Sequence, residues 1–286
     1  MPELPEVHAL VADLGARLLG RTVARLDMVS FSALKTFDPP VSSLNGQVVE
    51  SIARHGKFLD LGIGDVHLVL HLARAGWIRW RETEPPPRTK PSSGPLTARL
   101  VLDDGSGFDI TEAGTKKSVA IWIVRHVDEI PQIVRLGPDP LDAAFTREVF
   151  RGILSSAGRM QIKGVLRDQS RIAGIGNAYS DEILHVARMS PYKPAAMSDD
   201  EASELYDAVR ETLQAAIDRS EGVSASNLKR EKKTAMRVHG RAGEECPVCG
   251  DTVRQVIFAD RTLEYCPSCQ TGGKLLADRV LSRLLK

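Results

Sequence analysis

Two groups of residues, one at each end of the chain, have types and spacings suited to chemistry. Four cysteines, Cys246, Cys249, Cys266 and Cys269, lie in the last 41 residues of the 286-residue chain, spaced C-x2-C-x16-C-x2-C. Each C-x2-C knuckle can present two thiolates to one ion, which predicts a single tetrahedral structural zinc; a disulfide pair or redox thiols are the alternatives. At the other end stands Pro2. Removal of Met1, expected before so small a residue, leaves a secondary amine at the start of the chain. An α-amino group titrates near 7.7 against about 10.4 for lysine, so at pH 7 about a sixth of it is free base, against on the order of one in a thousand or fewer for lysine. Such an amine can attack a sugar C1′ and form a cationic iminium that acidifies the neighbouring C–H and permits β-elimination of the 3′ phosphate. Glu3, adjacent, can shuttle protons to the sugar. Taken alone, Pro2 is a weak signal and reads far more readily as a helix-start residue, with Glu3 and Glu6 as partners of the helix dipole.

The elements that must position these groups follow from periodicity. Val7, Leu10, Val11, Leu14 and Leu18 recur at helical spacing after an early proline, predicting an amphipathic helix over residues 3–19. Short β-rich runs separated by Gly, Asp and Pro then cover 22–30, 47–53, 57–61, 66–72, 98–102 and 118–124, as in a sandwich or barrel. The stretch 81–95 holds five of the 16 prolines and no apolar period, predicting an exposed loop. After Leu136-Gly137-Pro138 the pattern turns helical over 145–219, including 177–186 and 198–219, and Thr252 to Tyr265 read as a hairpin between the two knuckles. Residues 275–286 also look helical.

Composition excludes several classes. A content of 42% hydrophobic and 26% charged residues rules out wholesale disorder, collagen and coiled coil. No apolar run reaches a membrane-spanning length, and the acidic start does not suit a signal peptide, so a soluble, cytosolic protein is expected. The formal net charge is only +1, so a polyanionic partner needs positive charge concentrated locally. The connector 227–243 supplies it: Lys229, Arg230, Lys232, Lys233, Arg237 and Arg241 against Glu231 give +5. This run reads either as a solvated linker or, beside a zinc hairpin, as a contact to a phosphate backbone. His8, His55, His67, His71 and His126 share no ligand spacing and are expected to be structural.

Three motifs occur together: Met1-Pro-Glu-Leu-Pro-Glu-Val7; Leu166-Arg-Asp-Gln-Ser-Arg-Ile-Ala-Gly-Ile-Gly-Asn-Ala-Tyr179 followed by Asp181-Glu182-Ile183-Leu184; and the hairpin ending Tyr265-Cys-Pro-Ser-Cys-Gln270. With His55-Gly56-Lys57 and Leu136-Gly137-Pro138, the chain resembles the formamidopyrimidine-DNA glycosylase / endonuclease VIII family over residues 2–270. The resemblance implies an α+β chain: an N-terminal β-sandwich with a flanking helix (1–130), a helical helix-two-turn-helix domain (131–226), and a basic connector, zinc-finger β-hairpin and C-terminal extension (227–286). It implies a base-excising enzyme that also cleaves abasic sites by β/δ-elimination, acting as a monomer on damaged double-stranded DNA, cytoplasmic and nucleoid-associated in a bacterial manner. Pro2 is then the nucleophile, Glu3 the proton-transferring acid, and Glu6 a support for the first helix. Lys57 and Arg261 complete the catalytic set, and Lys57, Asn177 and Arg261 contact phosphate. Taken alone, Gly174 and Gly176 favour a plain helix–helix turn over backbone N–H binding of phosphate, and a hairpin arginine is usually just solvated.

The chain departs from the family where a wedge fills the void of a flipped nucleotide. Arg74 in His71-Leu-Ala-Arg74 replaces a methionine, and Asp109-Ile-Thr-Glu-Ala-Gly114 lacks the family's arginine and phenylalanine. Arg74 remains a candidate DNA contact that can stack as a planar cation, but the departures point away from 8-oxoguanine. They favour lesions that already unstack the duplex, including bulky or unusual adducts. Two other classes compete: a non-catalytic damaged-DNA binding module, and an isomerase using an N-terminal proline as base.

Overall fold

The computed structural model describes residues 1–83, 95–258 and 261–277, with the Arg261 side chain left out. Most of the predicted loop 81–95 and most of the predicted helix 275–286 lie outside the described residues, and 275–277 are not helical. Two compact units result, Met1–Arg135 with Ser220–Lys229, and Leu136–Arg219 with Arg230–Lys286.

The first unit opens with α1 (Leu4–Leu18). Pro5 fits its first turn, where a missing N–H costs nothing, and Leu4, Val7, Leu10, Leu14 and Leu18 bury one stripe. Eight strands follow: β1 (Val23–Met28), β2 (Val49–His55), β3 (Phe58–Ile63), β4 (Val66–His71), β5 (Gly76–Arg81), β6 (Leu96–Leu102), β7 (Gly107–Glu112) and β8 (Ala120–Val124). They form two four-stranded antiparallel sheets, ordered β1-β6-β7-β5 and β2-β3-β4-β8. Leu59 and Leu61 of one sheet and Leu100, Phe108 and Ile110 of the other share a single core with Leu10 and Leu14 of α1. The chain returns to this core late, through Ala225 and Leu228, and the Ala225 N–H donates to Asp13 Oδ2 at 3.0 Å.

Strands β5 and β7 were not expected from the pattern. Arginines at 79, 81 and 99 and the acids Asp109 and Glu112 mask the alternation, yet the charges satisfy one another: Arg81 and Arg99, reaching from β5 and β6, both grip Asp109 on β7, with N···O distances of 2.7 and 2.8 Å. Gly107 is obligatory here, since at φ 148° a Cβ would stand 2.1 Å from the Leu100 carbonyl oxygen. The short α2 (Pro131–Val134) ends the unit.

The second unit is helical, with a small hairpin. It holds α3 (Arg147–Ala157), α4 (Ile162–Arg167), α5 (Asn177–Val186) and α6 (Asp199–Ser220). The basic connector is not a linker: residues Leu228–Ala235 form α7. Antiparallel β9 (Arg254–Phe258) and β10 (Arg261–Tyr265) form the predicted hairpin, and α8 (Pro267–Thr271) closes the second knuckle. Among the described residues no helix is long and apolar enough to cross a membrane.

Candidate functional site

In the first unit, Pro2 and Glu3 form the buried entry to α1, with Glu3 only 1% exposed. The fully buried Glu6 carboxylate accepts the Glu3 N–H at 2.7 Å, capping a donor that the first helical turn leaves unpaired. This bond holds the backbone next to Pro2. Helix α1 packs on β2 and β3, and the turn joining those strands carries Lys57, 92% buried. The neighbouring His71 stays neutral, because burial, reinforced by the Lys57 charge, lowers its pKa to about 4. Its ring lies 4.8 Å from that of Phe58, which also faces Trp122. His55 and His67 bracket the buried Asp60 carboxylate at 3.1 and 2.8 Å, a structural use of histidine on an otherwise apolar strand.

Arg74 occupies the exposed turn between β4 and β5, one residue after Ala73, whose φ of 49° is rare for a residue with a Cβ. Glu112, in contrast, does not face outward. Its carboxylate, 1% exposed, accepts from Ser118 N at 2.7 Å, Ser118 Oγ at 3.0 Å and Val119 N at 3.2 Å. It ties down both ends of a loop whose residues 113–118, including Lys116 and Lys117, are all exposed. Glu112 is therefore an internal anchor.

In the second unit, the segment before α5 is organised by Gln169. Its Oε1 accepts from Gly174 N at 2.9 Å, and its Nε2 donates to the Ile175 carbonyl at 2.7 Å. Gly137 donates to the Gln169 carbonyl, and a Cβ at 137 would collide with the Arg171 backbone, which explains the Leu-Gly-Pro motif. Asn177 begins α5, and its Nδ2 donates to the Thr262 carbonyl at 2.8 Å, so it is joined to the residue following Arg261. Arg261 itself opens β10, paired with Phe258. The structure thus brings Asn177 and the Arg261 strand together within one unit; Pro2, Glu3, Glu6, Lys57 and Arg74 belong to the other.

The four cysteine sulfurs lie within 4.8 Å of one another, with Cys246–Cys269 at 3.9 Å and Cys249–Cys266 at 3.4 Å. A disulfide needs about 2.05 Å, whereas four thiolates about 2.3 Å from one zinc stand about 3.8 Å apart, so the set fits one structural zinc. Asp251 joins the two knuckles: its carbonyl accepts from Cys246 N at 2.7 Å and its carboxylate from Ser268 N and Oγ at 3.1 and 2.7 Å. His185 Nε2 lies 3.3 Å from Cys246 Sγ, a donor suited to orient a metal-bound thiolate.

Neither Asp251, His185 nor Gln169 stood out in the sequence. One signal was available: Asn177, Asp181 and His185 are spaced by four, which puts three polar side chains on one face of α5. All three reach the hairpin or the segment leading to it, at Thr262, His239 and Cys246.

A two-sheet sandwich led by a capped Pro-Glu segment, followed by a helical unit and a four-cysteine zinc hairpin, defines the zinc-finger, helix-two-turn-helix class of chain. Family models agree piece by piece: the formamidopyrimidine-DNA glycosylase N-terminal domain matches residues 1–114, the corresponding H2TH domain 136–227, and the zinc finger found in FPG and IleRS 243–272. Formamidopyrimidine-DNA glycosylase of Thermus thermophilus is 34% identical, covering 96% of this chain and all of the relative. An uncharacterised formamidopyrimidine-DNA glycosylase-like protein of Mycobacterium tuberculosis is 54% identical over 54% of this chain and 98% of its own length. The crystal structure of MutM (Fpg) from Thermus thermophilus superposes with a TM-score of 0.79 at 32% identity, covering 96% of this chain and all of that one. Lactococcus lactis Fpg in complex with abasic-site DNA gives 0.81 at 27% identity, covering 94% and 99%. The chain belongs to the formamidopyrimidine-DNA glycosylase family, a family of enzymes.

Proposed function

We propose that the chain is a DNA repair glycosylase with abasic-site lyase activity, and that the Pro2 amine, freed by removal of Met1, is its nucleophile. The observation that carries this reading is the Pro2–Glu3 entry to α1, buried and tied by Glu6 within a chain of this family. Attack of the amine on C1′ breaks the C1′–N bond and releases the base; the proline nitrogen loses its proton, the C1′–O4′ bond opens with O4′ taking up a proton, and a C1′=N iminium is left. Loss of a C2′ proton then drives β-elimination, which breaks the C3′–O bond and releases the 3′ phosphate; δ-elimination releases the 5′ phosphate in the same way. Glu3 delivers a proton to the opening sugar. Lys57 and Arg261 are assigned to this catalytic set through the phosphates that flank the lesion, and Asn177 adds a further phosphate contact. The zinc takes no step, since four thiolates leave it no open position for water; it supplies the fold of the hairpin.

Duplex DNA containing damaged or abasic sites is the proposed partner. The departures at Arg74 and Glu112 support a lesion preference other than 8-oxoguanine: Arg74 is exposed at a turn tip, whereas Glu112 is committed to holding its loop. Lesions that already unstack the duplex, such as ring-opened purines, oxidised pyrimidines and abasic sites, need least from a wedge. Single-turnover excision on 8-oxoguanine:cytosine beside ring-opened guanine and dihydrothymine duplexes tests the preference. A tenfold advantage for 8-oxoguanine, about 1.4 kcal/mol in barrier, contradicts it. Nicking of an abasic duplex by the mature chain, and its loss when an uncleaved tag precedes Pro2, tests the lyase; nicking by the tagged chain at the wild-type rate refutes the Pro2 assignment.

A further inference from the structure

Beneath the hairpin lies a buried ionic cluster that none of the assigned roles uses. Asp181 on α5 is fully buried; its Oδ1 accepts from Lys163 Nζ of α4 at 2.5 Å and its Oδ2 lies 2.8 Å from His239 Nδ1. The same His239 nitrogen stands 2.9 Å from Oε2 of Glu264, a β10 residue only 3% exposed. Two carboxylates thus face two basic groups, which leaves the cluster neutral when His239 is charged. Burial opposes that charge, but the hydrogen bond to Asp181 and the adjacent Glu264 carboxylate outweigh it and raise the ring to about 9. The backbone around His239 is held as well: Glu182, next to Asp181, accepts from Arg237 N, Val238 N and His239 N at 2.8 to 2.9 Å.

We propose that His239 is a positioning residue, clamped between Asp181 and Glu264, which fixes β10, and with it the backbone of Arg261, to the helix that begins at Asn177. Three observations carry this. Glu264 is three residues from Arg261 on a two-stranded hairpin, and a two-stranded hairpin has little stability of its own. A second polar tie between α5 and β10 is the Asn177–Thr262 bond at the opposite end of the segment 262–264, so the ionic clamp and this bond together hold the strand at two points. Finally, the clamp joins groups from α4, α5, the segment after α7 and β10, too many elements for one solvated surface pair. The ring is not needed as a metal ligand, because Lys163 already supplies the second positive charge.

The inference rests on the proposed DNA-cleaving function, so its test has one arm independent of DNA. In zinc-loaded His239→Leu, amide hydrogens of 262–265 should exchange about tenfold faster, in line with the loss of one charge-assisted bond. On abasic duplex the apparent KM should rise about tenfold while kcat moves by less than about twofold. The double variant His239→Gln/Glu264→Gln restores charge balance and donor–acceptor pairing, and should return both readouts to within about threefold of wild type. Unchanged exchange and KM in His239→Leu overturn the proposal. If His239→Leu loses its zinc, single His239→Gln is compared with the double variant, and equal exchange and KM in those two overturn it. Two zinc ions per chain in the wild type would assign the trio to a metal and also overturn it. Wild-type protein that neither binds nor cuts DNA sinks the functional reading, while the exchange arm still decides the positioning.

Discussion

Glu112 offers the sharpest test of how the first unit holds its exposed loop. Replacing it with glutamine keeps the size and one acceptor but removes the charge. Bonds to a charged acceptor contribute about 1.5–3 kcal/mol against about 0.5–1.5 for neutral ones, so the two backbone donors, Ser118 N and Val119 N, together lose about 2 kcal/mol. Val119 N also lies 3.2 Å from Oε2, so one orientation of the glutamine amide sets a donor against a donor. Glu112→Ala costs more, about 4 kcal/mol, because Val119 is 2% exposed and its N–H finds no water to replace the lost acceptor. Ser118→Ala costs under about 1 kcal/mol, since that hydroxyl sits on an exposed residue. All three tryptophans of the chain, Trp77, Trp80 and Trp122, lie in this unit, so urea unfolding followed by tryptophan fluorescence reads it selectively. The order Ala, Gln, Ser118→Ala in decreasing cost is the expected result. A glutamine variant within about 0.5 kcal/mol of wild type refutes the anchoring role, because surface changes lie in that range.

Ala73→Gly should stabilise the same unit by up to about 1 kcal/mol in that assay, because a positive φ of 49° strains a residue with a Cβ; a loss of stability contradicts this. His71 makes stability depend on pH. Its pKa of about 4 lies below the unfolded value of 6.5, so its contribution is complete above pH 6.5 and is lost as pH falls towards 4; His71→Gln should flatten that slope, and an unchanged slope refutes the assignment. Cys266→Ser should release the zinc, disorder β9 and β10 and weaken DNA binding, as metal analysis and a salt titration of duplex affinity will show; active protein free of zinc contradicts it.

The sequence revealed most where residue type and spacing leave one physical solution. The cysteine knuckles, the apolar stripe of α1 and α5 at 177–186 were legible for that reason. Strands β5 and β7 were not, because Arg81 and Arg99 pair with Asp109 across three strands, and no local pattern records a charge satisfied by a residue many positions away. For the same reason the basic connector concealed α7, whose Leu228 packs into the core while its lysines make the run look like a linker. The Glu112 anchor was not legible, because composition cannot tell an inward carboxylate from an outward one. His239 drew no notice as a lone histidine in a basic run; only the fold brings it between Asp181 and Glu264.

The central claim, that the chain works through an iminium at Pro2, is tested most directly by borohydride trapping. Mature protein incubated with an abasic duplex and borohydride should give a covalent complex in which reduction replaces the iminium C=N by a stable C–N bond. Peptide mapping should place the DNA on the N-terminal peptide at Pro2. A trapped adduct on a lysine such as Lys57, or rapid strand cleavage with no adduct trapped, contradicts the account.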